Sequence, residues 1–225
     1  MTKILRNQKS VFLEALIITL FIFGVGILLG VFIESGRESQ ISELFLASDI
    51  NLLDVKIQTE VLNLKDINCN EAIKKNIEFG DKIYNDAKIL ERYEGASRIK
   101  NTLVQYHKKY DLLRTLLWLN SIKIKEKCGS GFHTLVYLYD YSPDELELKG
   151  KQAVFSNFLT DLKEEFGGSI ILIPIAKNLD ISSLDLLIKK YNINETSIIL
   201  DEKIIVQNPS NFYEIENRIR NSEQQ

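Results

Sequence analysis

The 225-residue sequence predicts an α/β protein with an N-terminal transmembrane helix, a helical hairpin and a C-terminal domain of order β-α-β-α-β-β-α. Residues 15–33 form an uncharged apolar run, and residues 41–124 carry apolar side chains at helical spacing. After residue 133, short β-rich runs alternate with helical segments. The expected parts are a cytoplasmic tail (1–10), a transmembrane anchor (11–34), a helical stalk (35–130) and an α/β domain (131–221).

The composition is that of a folded protein, with 45% hydrophobic and 26% charged residues. A net charge of −3 does not provide the basic surface that nucleic acids require, so no nucleic-acid partner is expected. His107 and His133 form no zinc-site spacing with Cys69 and Cys128. Phosphate-binding glycine loops and Gly-x-Ser-x-Gly motifs are missing from the sequence, so no metal or cofactor is expected.

The apolar run ALIITLFIFGVGILLGVFI (15–33) is about as long as a helix that crosses a ~30 Å hydrocarbon core. It is apolar on every face, and it exceeds the ~7–15 apolar residues of a cleaved signal peptide, which is the alternative. Lys3, Arg6 and Lys9 precede the run, whereas Arg37 behind it is flanked by acids. The positive-inside rule then predicts a single-pass protein of the cell membrane, with its N-terminus cytoplasmic, its C-terminal domain outside and the lipid bilayer as a partner.

Apolar residues at intervals of four and three predict the helices of the stalk. One stripe covers residues 41–62 and a second covers 46–64, and we expect the two to form one wide apolar face packed in a bundle. Asn70 is expected to cap the next helix. The pattern weakens around Gly95 and resumes over residues 99–124. These segments predict an antiparallel hairpin, with coiled-coil packing as one form of it.

The stalk allows two interpretations. Its helices can satisfy one another within a single chain, which is the simpler interpretation. Alternatively, the face that contains Tyr106 and Tyr110 docks a protein partner or a second copy.

The C-terminal segment predicts a sheet with helices on both faces. Its first two strands form a parallel pair around a helix (150–166), and a hairpin follows. Ser182 or Ser183 is expected to cap the next helix, and Pro209 opens the last one. The four predicted strands are TLVYLY (134–139), SIILIPI (169–175), 197–200 and 204–206.

This element order resembles the thioredoxin fold over about residues 133–220. The phrase YNINETSIILDEKII, from Tyr191, resembles the part of thioredoxins that holds a helix end, a turn, a strand and a tight hairpin. The resemblance implies a Cys-x-x-Cys where the first strand meets its helix, and a cis-proline before the third strand. The sequence has neither feature, since Ser197 stands in the cis-proline slot.

The loop that replaces the dithiol can be aligned with Cys-x-x-Cys in two registers. The two cysteine positions correspond either to Ser142 and Glu145 or to Leu146 and Lys149. Sulfur is missing from both registers, so the loop has no nucleophile for thiol–disulfide exchange. A solvated capping loop is the simpler interpretation of its acidic residues, and an acidic lip that holds a metal or an amine is the alternative.

The whole chain also resembles a group of uncharacterised archaeal membrane-anchored thioredoxin-like proteins. The landmarks are Cys69, the segment LLRTLLWLNSIKIKEKCGSG from Leu112, and YLYDYS from Tyr137. Members of this group carry a Cys-x-x-Cys followed by Gln-Gly. Gln152 takes the Gln position here, which favours the second register, and Ala153 replaces the Gly. The resemblance implies no particular activity.

The two cysteines lie at opposite ends of the stalk helices. Cys69 begins the middle helix and Cys128 ends the last one, so antiparallel packing brings them together. We expect a structural disulfide in the oxidising exterior, with free buried thiols and a redox-active pair as the alternatives. Asn194, in the sequence Asn-Glu-Thr, matches the N-glycosylation acceptor in a predicted exterior loop.

These patterns predict a membrane-anchored extracytoplasmic protein whose redox-inactive thioredoxin-like domain serves binding or assembly, and not an enzyme. A protein partner is expected to bind the stalk or that domain. One alternative is a thiol–disulfide oxidoreductase or redox sensor that uses Cys69 and Cys128. Another is a helical adaptor of a membrane complex.

Overall fold

The computed structural model describes residues 8–64, 66–91, 100–129 and 131–223. The chain divides into two compact units, Met1–Ala47 and Ser48–Gln225. The basic residues Lys3 and Arg6 and the predicted helix break around Gly95 lie outside the described residues.

The order of helices and strands confirms the predicted order. The helices are α1 (Gln8–Val61), α2 (Cys69–Glu91), α3 (Lys100–Cys128), α4 (Leu146–Phe166), α5 (Ser182–Lys190) and α6 (Phe212–Glu223). The strands are β1 (His133–Tyr139), β2 (Ile170–Ala176), β3 (Ser197–Leu200) and β4 (Ile204–Val206). Short 3₁₀ turns at Gly167–Ser169 and Pro209–Asn211 precede β2 and α6.

The N-terminal unit contains the apolar part of α1. Val11–Ile33 has a mean hydropathy of 2.9 and is long and apolar enough to cross a membrane, a test that a signal sequence near the N-terminus also passes. Its large side chains, such as Phe21 and Phe32, are exposed. Apolar surface of this extent is stable only where lipid or protein covers it.

The sheet has the strand order β2-β1-β3-β4. Strand β1 runs parallel to β2 and antiparallel to β3, and β3 pairs antiparallel with β4. This confirms the predicted parallel pair followed by a hairpin. Pro174 pairs with Tyr137 in the edge strand β2, where a residue without an N–H is tolerated.

Both faces of the sheet are covered by helices. On one face, alternate strand residues such as Leu135 and Ile198 pack with Phe155 of α4 and Ile215 of α6. On the other face, α2 and α3 contact β2. A Cβ atom on Gly80 of α2 would lie 3.0 Å from the Ile171 side chain, so this glycine permits the close approach of α2 to β2.

The predicted boundary at residue 130, between stalk and sheet domain, therefore does not coincide with a boundary between compact units. Helices α2 and α3 belong to the same unit as the sheet. This arrangement places helical side chains beside the ends of the strands.

Helix α3 is buried on nearly all sides, and its polar residues find partners on the other helices. Thr59 Oγ1 of α1 donates to Asn120 Oδ1 at 2.6 Å, and Asn76 Nδ2 of α2 donates to Ser121 Oγ at 2.8 Å. The apolar spacing predicts one packed face for this helix. The structure buries other faces as well, because their polar side chains form hydrogen bonds with side chains of α1 and α2.

The prediction of one wide apolar face on α1 is wrong. Ser48 and Val55 of the first stripe are buried, whereas Ile50 and Ile57 of the second are more than 60% exposed. The stripes are offset by two residues, and at about 100° per residue they lie on opposite sides of the helix. We call the described part of the second stripe in the larger unit the exposed α1 stripe, which consists of Ile50, Leu53, Ile57 and Val61 of α1 and Leu64 just beyond the helix end.

Two predicted helix caps are also wrong. The Asn68 side chain, and not that of Asn70, accepts a backbone N–H of the first turn of α2 at 3.2 Å, because the helix begins one residue before Asn70. Ser182 and Ser183 are the first two residues of α5 and lie inside the helix. Its N-cap is Ile181, which makes no side-chain cap hydrogen bond.

The predicted disulfide is confirmed. Cys69 and Cys128 are bonded, with Cα atoms 5.4 Å apart and a sequence separation of 59 residues. The bond joins the first residue of α2 to the last residue of α3. It therefore fixes the two helices that cover one face of the sheet.

We expect the double variant Cys69→Ser/Cys128→Ser to lose about 4 kcal/mol of its free energy of unfolding, because the bridge restricts the unfolded chain. Urea unfolding of the full chain in detergent measures this loss. Reduced wild-type protein is the control and should behave like the variant. An unchanged free energy of unfolding would contradict a structural role for the bridge.

Candidate functional site

A cleft of about 580 Å³ lies at the carboxyl end of β1, beside the edge strand β2. Helices α2, α3 and α4 and the β1–α4 loop form its walls. Ligands of α/β sheets commonly bind at this end of parallel strands. We call it the tyrosine cleft, after its lining residues Tyr84, Tyr110, Tyr137, Tyr139 and Tyr141.

Helical spacing explains why α2 and α3 contribute several side chains each. Tyr84 and Lys88 are four residues apart on α2, and both line the cleft. His107, Tyr110 and Arg114 follow one another at intervals of three and four on α3. Residues at these intervals share one helix face.

A buried ion pair lies at the floor of the cleft. Arg114 Nη1 donates to Asp111 Oδ1 at 3.0 Å, and Asp111 is fully buried. Asp111 Oδ2 accepts the Ala176 N–H at 3.3 Å, at the end of β2. The Tyr139 side chain also hydrogen-bonds to Arg114. The pair therefore connects α3 to the carboxyl ends of both parallel strands.

Burial raises the pKa of Asp111 to about 6, although the charge and hydrogen bond of Arg114 oppose this shift. Burial acts to lower the pKa of Arg114, but the attraction of Asp111 outweighs it and the pKa is raised. Arg114 therefore stays charged, while the cost of burial falls mainly on Asp111.

Two buried donors in the cleft have no partner among the described residues. They are the Tyr110 hydroxyl and Arg114 Nε. Burial also raises the pKa of Tyr110, so its hydroxyl keeps its proton and can donate it.

The β1–α4 loop is held in place from two sides. Lys177 Nζ lies 2.9 Å from Asp140 Oδ2, and Asn178 exchanges two hydrogen bonds with the backbone of Tyr141. The Gln152 amide, oriented to satisfy both of its groups, accepts from the Asp140 N–H at 2.6 Å and donates to its carbonyl at 3.3 Å. These contacts fix this wall of the cleft.

The structure brings only one of the predicted dithiol-loop residues to the cleft. Ser142 lines it, with a left-handed backbone (φ 47°). Glu145 precedes α4, and Leu146 and Lys149 are exposed in its first turn. Ser197, in the predicted cis-proline slot, is buried at the start of β3, and its hydroxyl has no partner within the described ranges. The described residues contain no cis peptide bond.

The remaining predicted sites lie away from the cleft. Cys69 and Cys128 are not among its lining residues and are bonded to each other. Asn194 is exposed in the turn before β3, and its glycosylation stays a prediction. In the part of the chain that the structure describes, no group of three or more His, Cys, Asp or Glu side chains is placed to hold a metal ion.

A second cavity, of about 1050 Å³, lies at the amino end of β1. His133 Nδ1 lies 2.6 Å from Asp201 Oδ2, and His133 Nε2 lies 2.5 Å from Ser222 Oγ. Lys125 Nζ lies 2.5 Å from Asp201 Oδ1. Burial acts to raise the pKa of Asp201, but the hydrogen bond from His133 and the charge of Lys125 lower it well below its ordinary value.

The contacts of His133 resemble a Ser-His-Asp triad, but the hydrogen bonds do not suit a nucleophile. The Ser222 hydroxyl donates its one proton to the Ile219 carbonyl at 2.6 Å. That proton is therefore not directed at His133, as it would be in a serine nucleophile paired with its base. The network instead joins α6 to β1 and to the turn between β3 and β4.

Sequence reasoning missed the ion pair at the floor of the cleft. Asp111 and Arg114 lie in the run DLLRTLLWL, where most other side chains are apolar. Two opposite charges three residues apart within such a run are the signal that points to a buried, paired site. The sequence places Tyr110 on an apolar helix face that either packs within the chain or docks a partner, and the lack of a described partner for its hydroxyl is visible only in three dimensions.

The chain matches no protein-family model, no curated protein and no solved structure. The chemistry of the cleft itself therefore carries the functional interpretation.

The raised pKa of Asp111 predicts a pH-dependent stability difference between wild-type protein and Asp111→Asn. In the folded state Asp111 binds a proton up to pH about 6, whereas in the unfolded state it releases the proton near 3.8. The folded state therefore holds this proton more tightly than the unfolded state does. The stability that comes from this difference is full below pH 3.8 and is lost as the pH rises to about 6.

Urea unfolding between pH 3.5 and 8 measures this difference. Relative to Asp111→Asn, the wild-type free energy of unfolding should fall across that interval and level off above it. Carboxylates that are common to both proteins, such as Asp201, cancel in the comparison. A constant difference, or one that grows with pH, would contradict the raised pKa.

Proposed function

We propose that this is a membrane-anchored extracytoplasmic protein whose redox-inactive thioredoxin-like domain binds a ligand in the tyrosine cleft. One observation carries the proposal. In a thioredoxin-like fold, the loop between the first strand and its helix holds the dithiol. Here that loop lines a cleft whose lining residues include no cysteine, and two buried donors of the cleft have no partner among the described residues.

The sheet topology supports the thioredoxin-like assignment. The element order is β-α-β-α-β-β-α, with a parallel pair, an antiparallel hairpin and helices on both faces. The β1–α4 loop corresponds to the dithiol position and Ser197 to the cis-proline position. The kinship with archaeal membrane-anchored proteins is part of the same proposal.

Two observations support the extracytoplasmic location. Val11–Ile33 is long and apolar enough to cross a membrane. The Cys69–Cys128 bridge suits an oxidising compartment. An uncleaved anchor is favoured over a signal sequence by the length of the apolar run. The basic residues before the run support a cytoplasmic N-terminus by the positive-inside rule.

The alternative of a thiol–disulfide protein has less support. Cys69 and Cys128 join the ends of two long helices, as a bridge that stabilises a fold does. Neither lies at the start of α4, where a helix N-terminus would lower the pKa of a thiol.

We expect the full chain to show no reduction of insulin disulfides above the level of Cys69→Ser/Cys128→Ser, because its cleft contains no sulfur. Insulin precipitation in the presence of dithiothreitol measures this activity, and thioredoxin is the positive control. Wild-type activity that the double variant loses would favour the oxidoreductase instead.

A second candidate function, a helical adaptor, is favoured by the exposed α1 stripe. Its five apolar side chains are 48–63% exposed, and they repeat at intervals of three and four. We propose that this stripe packs against the same stripe of a second copy. An anchor would hold two copies parallel in one membrane, which raises their effective concentration. The face with Tyr106 and Tyr110 is not available for this role, since both side chains are buried.

Replacing Ile57 by Glu should convert a dimer into a monomer, because the charge would be buried in the contact. Sedimentation of the full chain in detergent, together with photobleaching step counts in bilayers, measures the state. Leu186→Glu, an exposed position on α5, is the control. A monomeric wild-type protein in both experiments would contradict the adaptor function.

A further inference from the structure

The two unpaired donors in the tyrosine cleft indicate where a ligand atom belongs. Only 1% of Tyr110 and 6% of Arg114 is exposed, yet the Tyr110 hydroxyl and Arg114 Nε lack an acceptor among the residues that the structure describes. Buried donors are normally paired, so these two are open to an acceptor from outside the described residues.

Arg114 is held so that its free donor cannot turn away. Nη1 donates to Asp111, and that carboxylate is itself fixed by the Ala176 N–H. Tyr110 lies four residues before Arg114 on α3, so both side chains share one helix face. A single oxygen-bearing group can therefore accept from both donors, as carboxylates do from arginine.

The charges that line the cleft favour a single negative charge. Lys88 and Arg114 are cationic lining residues, and Asp140 is the one carboxylate among the described lining residues. Asp140 is compensated by Lys177, whose Nζ lies 2.9 Å from it. Asp86 lies close enough to Tyr110 for its charge to raise the pKa of that hydroxyl, and the charge of Lys82 acts on Asp86 in turn. Because Asp111 offsets Arg114 and Lys82 offsets Asp86, the remaining excess is the charge of Lys88. A monoanion matches this excess better than a dianion.

The walls of the cleft are rich in aromatic side chains. The rings of His107 and Tyr141 lie 4.3 Å apart between centroids, and Lys88 Nζ lies 4.5 Å from the centre of the Tyr84 ring. Aromatic surfaces of this kind favour contact with another ring or an apolar group.

We infer that the tyrosine cleft binds a small aromatic monocarboxylate. The carboxylate accepts from Arg114 Nε–H and the Tyr110 hydroxyl, and the ring of the ligand packs against the tyrosine walls. Both donor atoms lie beneath the cleft surface, so a neighbouring side chain turns aside when the ligand enters. This inference rests on the proposed function, because it takes the cleft to be the binding site.

The test compares three probes on the full chain in nanodiscs: N-acetylphenylalanine, its neutral amide, and phenyl phosphate. Ligand-detected NMR gives the dissociation constants. The acid should bind, with the amide about tenfold weaker or more, because it lacks the charge that Arg114 and Lys88 favour. Phenyl phosphate, which is mainly a dianion at neutral pH, should also bind more weakly than the acid.

Tyr110→Phe is the sharpest variant. It removes a hydroxyl that has no partner in the free protein, so the unfolding midpoint should stay the same or rise. Its affinity for the acid should nevertheless fall about tenfold. Arg114→Lys, which keeps the charge but lacks Nε–H, should also lose affinity. Tyr213→Phe, at an exposed position on α6, is the matched control and should bind like wild type.

Equal affinities for the acid and the amide, unchanged affinity in Tyr110→Phe, or no binding of the acid would overturn the carboxylate inference. The ¹³C resonances of the cleft tyrosines separate this failure from a failure of the proposed function. If the amide or the phosphate perturbs these resonances, the cleft is a binding site for another chemical class. If none of the three probes perturbs them, the proposed function fails as well.

Discussion

The Asp111–Arg114 ion pair is the interaction on which the arrangement of the cleft depends. It is buried beneath α3, and it reaches the end of β2 through Ala176 and the end of β1 through Tyr139. A pair of this kind is costly to bury, and its partners must satisfy most of its hydrogen-bonding groups. Within the described residues only Nε of Arg114 is left without a partner, and the Arg114 side chain lines the cleft.

The helices that carry these residues are fixed by contacts elsewhere in the unit. The Cys69–Cys128 bridge joins α2 to α3 at one end. Farther along these helices, Tyr84 of α2 and Arg114, midway along α3, line the cleft. Gly80 lies on α2 between Cys69 and Tyr84, and it lets the helix approach the sheet closely. The bridge and the close packing together limit how far the helical walls of the cleft can move relative to the sheet.

The sequence predicted the elements well, because their signals are local. The strands, the apolar segment and the order of elements follow from residue type and spacing, and antiparallel packing led correctly from Cys69 and Cys128 to a bridge. The cleft was missed because its lining residues come from α2, α3, α4, β1, β2 and the β1–α4 loop. Only the tertiary packing brings these segments together. The prediction that both α1 stripes form one packed face was wrong because the stripes are offset by two residues. This offset puts the exposed α1 stripe on the side of the helix opposite the packed stripe.

The central claim is that Arg114 Nε–H and the Tyr110 hydroxyl donate to the carboxylate of a ligand in the tyrosine cleft. A crystal structure of the protein with N-acetylphenylalanine tests this claim most directly. It should show the carboxylate within hydrogen-bond distance of Arg114 Nε and the Tyr110 oxygen, with the Asp111 contact intact. An empty cleft with the probe bound elsewhere, or a carboxylate that turns away from Arg114, would contradict it.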